Sequence, residues 1–158
     1  MKIFSRKPNS HRLNGPLPID PETGLYSQNF FLLRLKEERE RTKRNGSAFS
    51  LLIVDVEGIS TALNEKSGTS SRTQKSLVRW LVRQSRKTDT KGWFDLKRVG
   101  ILMPDTKTSG ALEFKEKIYN QFRQEWPGGE KLYIEQSLLF RGFSFGFSDE
   151  VHAAGESH

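Results

Sequence analysis

The sequence predicts an α+β fold, with helices layered on a mostly antiparallel sheet that carries a β-hairpin at its centre. Three observations lead there. Long helical segments with a one-sided apolar stripe alternate with short segments rich in Leu, Ile and Val. Two of the short segments, Thr90 to Phe94 and Val99 to Met103, are separated only by Asp95-Leu96-Lys97-Arg98, a hairpin-sized gap. The 158 residues suit one domain with a single core of ordinary size.

The elements follow in chain order. Residues 1–18 hold Pro8, Gly15, Pro16 and Pro18 and no periodic apolar face, so a disordered tail is expected. Asp20-Pro21-Glu22-Thr23-Gly24 reads as a turn. Ser27 then caps a helix to about Arg44, with Phe31, Leu32 and Leu35 inward and the charges from Glu37 to Arg44 outward; Asn45-Gly46 stops it. Ala48 to Val56 is a strand buried on both faces. Ser60 to Ser71 is polar, with room for a short helical turn. Thr73 to Ser85 is a second long helix with Leu77, Val78, Leu81 and Val82 inward. The hairpin comes next, and Pro104 ends its second strand. Thr108 caps a third helix through Phe122, with Leu112, the Lys115 stem, Ile118 and Phe122 on one face. Trp126-Pro127-Gly128-Gly129 breaks it. Leu132 to Leu139 and Phe140 to Phe147 read as strands, with Phe143, Phe145 and Phe147 sharing a face. Residues 149–158 read as a flexible acidic tail, which leaves 19–148 as the folded domain.

Charge and composition narrow the chemistry. The net charge is +7 and the pI about 9.8. Residues 1–18 hold Lys2, Arg6, Lys7 and Arg12 and no acid, whereas 149–158 hold Asp149, Glu150 and Glu156 and no Lys or Arg. A basic body favours anionic partners: nucleotides, nucleic acid or an acidic membrane face. There is no cysteine, so disulfides, thiolate metal sites and cysteine nucleophiles are excluded. His11, His152 and His158 all fall in the expected tails, which leaves no histidine in the predicted domain for base or metal work. No phosphate-cradling G-x-x-x-x-G-K-[ST] loop and no G-x-S-x-G elbow occurs. The longest apolar run is Leu51 to Val54, far short of a membrane span, and no apolar stretch follows the basic start; a cytoplasmic protein is expected.

Several stretches, in order, carry a family resemblance. Asp20-Pro21-Glu22-Thr23-Gly24-Leu25-Tyr26 resembles the D-x-L-T-G-L-x opening of the GGDEF (diguanylate cyclase) domain, with Glu22 in place of Leu. Ser50 to Glu57 resembles the family's strand ending in D-x-D, Gly100 to Thr106 its A-I-L-L-P-D-T strand exit, and Ser144-Phe145-Gly146 its late S-x-G strand. The similarity spans roughly residues 20–148. It implies a ferredoxin-like, nucleotidyl cyclase-type layer: helices on a mostly antiparallel five-stranded sheet with a central β-hairpin. It also implies a bacterial signalling protein. The segment from Gly92 to Pro104 further resembles a divergent branch associated with bacterial exopolysaccharide synthesis.

The signature positions depart from the family. Counted back from Pro104, Gly-Gly-Asp-Glu-Phe falls on Asp95, Leu96, Lys97, Arg98 and Val99. In active members the resemblance implies two Mg²⁺ ions, held by the strand aspartate (here Asp55, with Glu57 beside it) and a hairpin acid; they polarise GTP for attack by a second GTP. Mg²⁺ needs hard oxygen ligands. Lys97 and Arg98 offer none and bring two positive charges; like unit charges at ~4 Å repel by about 4 kcal/mol at an effective dielectric of 20. Asp95 and Leu96 replace glycines that let backbone approach phosphates. The guanine-binding part is also altered, since Asn64-Glu65 is one residue out of register with the family's N-D, and Gly68 to Arg72 keeps only the first glycine of G-H-x-x-G-D. Neither diguanylate cyclase activity nor a bound Mg²⁺ cofactor is expected, and Asp55 is expected to pair with Lys97 or Arg98 across the sheet.

A second family motif is matched. The resemblance implies a product-binding R-x-x-D site five residues before the signature, and Arg86-Lys87-Thr88-Asp89 satisfies it with Thr90 to Phe94 as spacers. Arg86 would hold a phosphate or the guanine Hoogsteen edge, and Asp89 would accept from the guanine N1 and N2 protons. The same pair also suits a helix end, with Arg86 and Lys87 against the dipole and Asp89 opening the strand. Three functions follow: a regulatory module sensing cyclic di-GMP through Arg86 and Asp89; a ligand-free protein-interaction or dimerising domain; and, last, a nucleic-acid binder. The last rests on pI and the basic run Arg39 to Arg44, with no RNA-binding aromatic signature beside it.

Overall fold

A computed structural model describes residues 18–63, 70–126, 140–145 and 151–154. The elements are α1 (Gln28–Asn45), β1 (Phe49–Asp55), α2 (Val56–Leu63), α3 (Ser70–Gln84), β2 (Thr90–Trp93), β3 (Arg98–Pro104), α4 (Thr108–Glu125), β4 (Phe140–Phe145) and β5 (Val151–Ala154). Among the described residues the strands run β2-β3-β1-β4-β5, each pair antiparallel. This is a mixed α+β architecture with the expected hairpin, β2 and β3, in which Gly92 faces Gly100; the hairpin lies at one edge of the sheet and not at its centre, which the doubly buried β1 occupies.

The continuous apolar run of β1 is explained by two cores, one on each side of the sheet. Leu52 and Val54 join Ile59, Leu77, Leu81, Ile118 and Phe122 under the helices α2, α3 and α4. Phe49, Leu51 and Ile53 join Leu102 and Phe31 under α1. Phe31 seats α1 closely. Its ring lies where side chains at Gly92 and Gly100 would be: a Cβ on either would come 2.7 Å from a Phe31 carbon. Only glycine at both positions admits that ring.

The start of the chain is tied down locally. The Asp20 carboxylate accepts from the Glu22 N–H at 3.0 Å and the Thr23 hydroxyl at 3.0 Å, and Gly24 turns at φ 84°. Leu25 thereby drops into the core, fully buried. Tyr26 then bridges to the sheet edge at β2: its N–H donates to the Lys91 carbonyl at 2.9 Å. Ser27 accepts from the Phe30 N–H at 3.3 Å as the α1 cap, and Gly46 at φ 73° closes that helix by donating to the Thr42 carbonyl. At the far end of the sheet face, Arg41 reaches from α1 to Glu38 and to Asp105, the residue that follows β3.

Several expectations are corrected. Leu32 and Leu112 are exposed, because the buried arc of α1 centres on Phe31 and that of α4 on Ala111, Lys115, Ile118 and Phe122. The cap position of α4 is Lys107, without a side-chain cap bond, and Thr108 is the first helical residue. The strand β1 stops at Asp55, and a full helix, α2, begins at once with Val56. The expected acidic tail contains β5, which pairs with β4, so His152 lies in a strand opposite Ser144. That pairing, and not any local pattern in Val-His-Ala-Ala, makes the segment a strand. Residues 1–17 of the expected tail 1–18 and the expected strand 132–139 lie outside the described residues, as do the side chains of the expected phenylalanine face of β4. No helix among the described residues is long and apolar enough to cross a membrane.

Candidate functional site

Two tight turns bracket β2, and each holds one of the sequence-predicted constellations. The first follows α3. Arg86 and Asp89 form an i,i+3 ion pair, Nη2 to Oδ1 at 3.0 Å. Asp89 also accepts from the Arg86 backbone N–H at 2.9 Å and from Nε at 3.2 Å, while the Asp89 N–H donates to the Arg86 carbonyl at 3.0 Å. The carboxylate is 1% exposed, the Arg86 side chain 56%. Arg86 Nη2 donates further to the Thr106 hydroxyl at 2.9 Å, and that hydroxyl donates to the Pro104 carbonyl at 2.9 Å. Lys91 donates to the Arg86 and Asp89 carbonyls at 3.3 and 3.1 Å. Burial pushes the Lys91 ammonium below its ordinary value, against the opposing pull of Asp89.

A groove of about 290 Å³ opens beside this turn. Arg86, Met103 and Thr106 form one part of its lining, and Gly110, Glu113, Phe114 and Lys117 of α4 form the rest. It therefore brings two cationic side chains, one carboxylate, a hydroxyl and an aromatic ring to one concavity. Thr106 and Lys117 were not among the sequence-predicted site residues. The spacing of Lys117 along the outer part of α4 carries no local signal; only the folded arrangement sets it in one groove with Arg86 and Thr106.

The second turn is the hairpin tip, at the signature positions. Asp95 Oδ1 accepts from the backbone N–H groups of Lys97 at 2.9 Å and Arg98 at 2.7 Å. Asp95 Oδ2 accepts from Arg98 Nε at 2.8 Å and lies 2.7 Å from Arg98 Nη2. The Arg98 guanidinium also covers the Phe94 ring at 5.2 Å. Burial alone pushes the Asp95 carboxyl up. The Arg98 side-chain bond, the two backbone bonds and the Arg98 charge outweigh it and hold Asp95 below its ordinary value. Leu96 and Lys97 stand exposed at the tip.

The neighbouring strand end is self-contained as well. Asp55 is the N-cap of α2, accepting from the Gly58 N–H at 2.8 Å. The Lys97 carbonyl accepts from the Glu57 N–H at 3.3 Å, so the tip docks on the first turn of α2. The expected ion pair between Asp55 and Lys97 or Arg98 is therefore replaced. Asp55 and Arg98 are register partners on β1 and β3, but Arg98 is held by Asp95 in its own strand connection, and Asp55 turns to the helix it starts. Glu57 is exposed. These acids fit Mg²⁺ poorly: Asp95 has donors on both oxygens, Asp55 caps a helix, and a guanidinium sits against the Asp95 carboxylate. Among the described residues no three His, Asp or Glu side chains gather as a metal seat.

No protein-family model matches the chain, and no curated protein sequence does. Solved structures do. The GGDEF domain of FimX from Pseudomonas aeruginosa superposes with a TM-score of 0.56 at 16% identity, covering 68% of this chain and 67% of that one. Diguanylate cyclase SiaD from Pseudomonas aeruginosa, in complex with its activator SiaC, gives 0.58 at 21% identity over 88% of this chain and 51% of its own. The S helix-GGDEF-EAL portion of LapD from Vibrio cholerae, bound to c-di-GMP, gives 0.50 at 13% identity over 81% of this chain. The chain spans about half of the SiaD chain and 28% of the LapD chain. Sheet order, hairpin and helical layers together identify the architecture: this chain has the fold of the GGDEF, diguanylate cyclase-like domains.

Proposed function

We propose that the chain is a catalytically inactive regulatory module of GGDEF type, which senses cyclic di-GMP through Arg86. The observation that carries the reading is the contrast between its two turns. At the signature tip Asp95 and Arg98 are spent on one another, and the donors at the start of α2 are spent on the Asp55 carboxylate and the Lys97 carbonyl, so no acid there is set out for a metal-bound triphosphate. At the other turn Arg86 is more than half exposed at the mouth of a groove that also holds Lys117 and Thr106. Two cations and a hydroxyl suit the two phosphates of a cyclic dinucleotide, and Phe114 offers an apolar edge for a base. Asp89 then acts as a positioning residue. Buried and saturated, it aims the guanidinium and does not itself meet a guanine. The LapD S helix-GGDEF-EAL structure is bound to c-di-GMP, which makes that dinucleotide the first ligand to try here. The bacterial cytoplasm is the compartment this reading assigns.

Calorimetry with GTP and cyclic di-GMP side by side tests it. The expected result is binding of cyclic di-GMP at micromolar strength or tighter, lost in Arg86→Ala and weakened in Lys117→Ala, with no conversion of GTP. Silence with cyclic di-GMP overturns the sensing part; formation of the cyclic dinucleotide from GTP and Mg²⁺ overturns the inactive part.

A second reading, a ligand-free protein-interaction domain, is favoured by one observation: Asp89 is already fully engaged by Arg86. On that reading the R-x-x-D turn is a structural lock between α3 and β2. A stable complex with a partner, indifferent to Arg86→Ala and to cyclic di-GMP, would select it.

A further inference from the structure

Helix α3 carries a row of arginines that neither turn uses. Its sequence, Ser70 to Gln84, contains no acid. Leu77, Val78, Trp80 and Leu81 are buried, while Arg72, Lys75, Arg79 and Arg83 are exposed. At 3.6 residues per turn, Arg72, Arg79 and Arg83 fall within an arc of about 40° and span about 16 Å along the helix. None of the three has an ion-pair partner among the described residues.

The row is narrow because carboxylates stand on both sides of it. Lys75, about 60° to one side, is paired with Glu22 at 3.1 Å. Trp80, about 80° to the other side, donates its indole N–H to Glu125 at 2.8 Å. A broad anionic surface, such as a bilayer or a nucleic-acid duplex with two phosphate strands, would meet a neutralised pair on one side of the row and the Glu125 carboxylate on the other, and would gain attraction only along the row itself. The exposed row also offers no aromatic ring for base stacking and no apolar side chain for insertion into lipid. A single file of anions meets only guanidinium groups.

We infer that the outer face of α3 docks an acidic helix of a partner protein, one with carboxylates at i, i+7 and i+11. Two α-helices have the same rise, so that spacing sets one carboxylate opposite each of Arg72, Arg79 and Arg83 when the helices run parallel. Guanidinium suits the task, since it grips a carboxylate with two parallel N–H bonds. The contact is built from exposed ion pairs, so it is salt-sensitive and reversible. It does not depend on the cyclic di-GMP reading, because none of these side chains lines the groove at Arg86.

The test titrates the whole chain into a fluorescent helical peptide with Glu at i, i+7 and i+11, and into a peptide of the same composition with the Glu positions scrambled. Anisotropy is read at low and physiological salt. The expected result is binding of the ordered peptide roughly tenfold tighter than the scrambled one, weakening as salt rises. The Arg79→Gln/Arg83→Gln variant loses roughly tenfold in affinity, one decade being the usual scale for two such charge contacts. Lys36→Gln/Arg44→Gln on α1, which removes equal charge elsewhere, keeps it. The proposal is overturned if the scrambled peptide binds equally, if the α3 variant retains affinity while the α1 variant loses it, or if a random-sequence DNA duplex or phosphatidylserine vesicles bind more tightly than the ordered peptide. Circular dichroism of each variant excludes misfolding as the cause of a loss.

Discussion

The turns at the two ends of β2 are built from the same parts in opposite order. Before the strand stands Arg86-Lys87-Thr88-Asp89; after it stands Asp95-Leu96-Lys97-Arg98. Each is closed by an i,i+3 pair between arginine and aspartate, and in each the aspartate also accepts backbone N–H bonds. They differ in depth. Asp89 is 1% exposed, Asp95 35%. They differ also in what the arginine does next. Arg98 lies back over Phe94, whereas Arg86 reaches outward to Thr106 and the groove lined by Lys117. A salt bridge is thus no measure of function by itself. The one with the buried acid leaves its cation outward and usable; the one with the half-exposed acid consumes both partners in shaping a hairpin.

Four substitutions break this symmetry, in order of expected effect. Asp89→Ala removes a buried acceptor of three N–H bonds and orphans the Arg86 backbone donor, so a loss of about 2–3 kcal/mol is expected in chemical denaturation. Asp95→Ala costs about 1 kcal/mol, since it removes a turn-forming carboxylate that is partly in water. Arg98→Ala costs about 0.5 kcal/mol, the scale of an exposed pair and a cation–π contact. Arg86→Ala stands outside that order: it leaves the buried Asp89 carboxylate with a backbone donor but no counter-charge, a loss of about 1–3 kcal/mol, and it has the largest effect on cyclic di-GMP binding. A larger loss of stability in Arg86→Ala than in Asp89→Ala would mean that the R-x-x-D turn is not organised around its acid.

A pH titration sharpens the contrast further. The Asp95 carboxyl titrates below its ordinary value of 3.8 in the folded chain, so the folded state favours its ionised form. Its stabilisation is fully present above 3.8 and fades as pH falls through the depressed value. Denaturation midpoints measured from about pH 5 down to about pH 2 should fall less steeply in Asp95→Asn than in the parent. Equal slopes would show that the tip pair contributes nothing to acid sensitivity.

What could be seen in the sequence follows what is local. The caps of α1 and its glycine stop, the doubly buried β1 and the β2–β3 hairpin all rest on neighbours within a few residues, and all form as expected. Leu32 and Leu112 were misplaced because helical periodicity gives a stripe but not its phase; the phase is set by Phe31 on Gly92 and Gly100, and by Ile118 and Phe122 in the opposite core. The segment Val151–Ala154 becomes a strand only through β4, a partner it meets in space. At the site, the D-x-x-G of Asp55 to Gly58 and the D-x-x-R of Asp95 to Arg98 were local signals open to a direct reading as a helix cap and a turn lock. The family resemblance drew attention instead to the metal chemistry those positions serve elsewhere. The nearness of Thr106 and Lys117 to Arg86 is tertiary, and no spacing announces it.

Phe31 has a mechanical consequence. Its ring bears on one glycine from each strand of the hairpin, and those strands lead directly to the two arginine–aspartate turns. A displacement of α1 that spared the hairpin would first have to lift this one ring off both glycines, because a side chain at either position would occupy the same space.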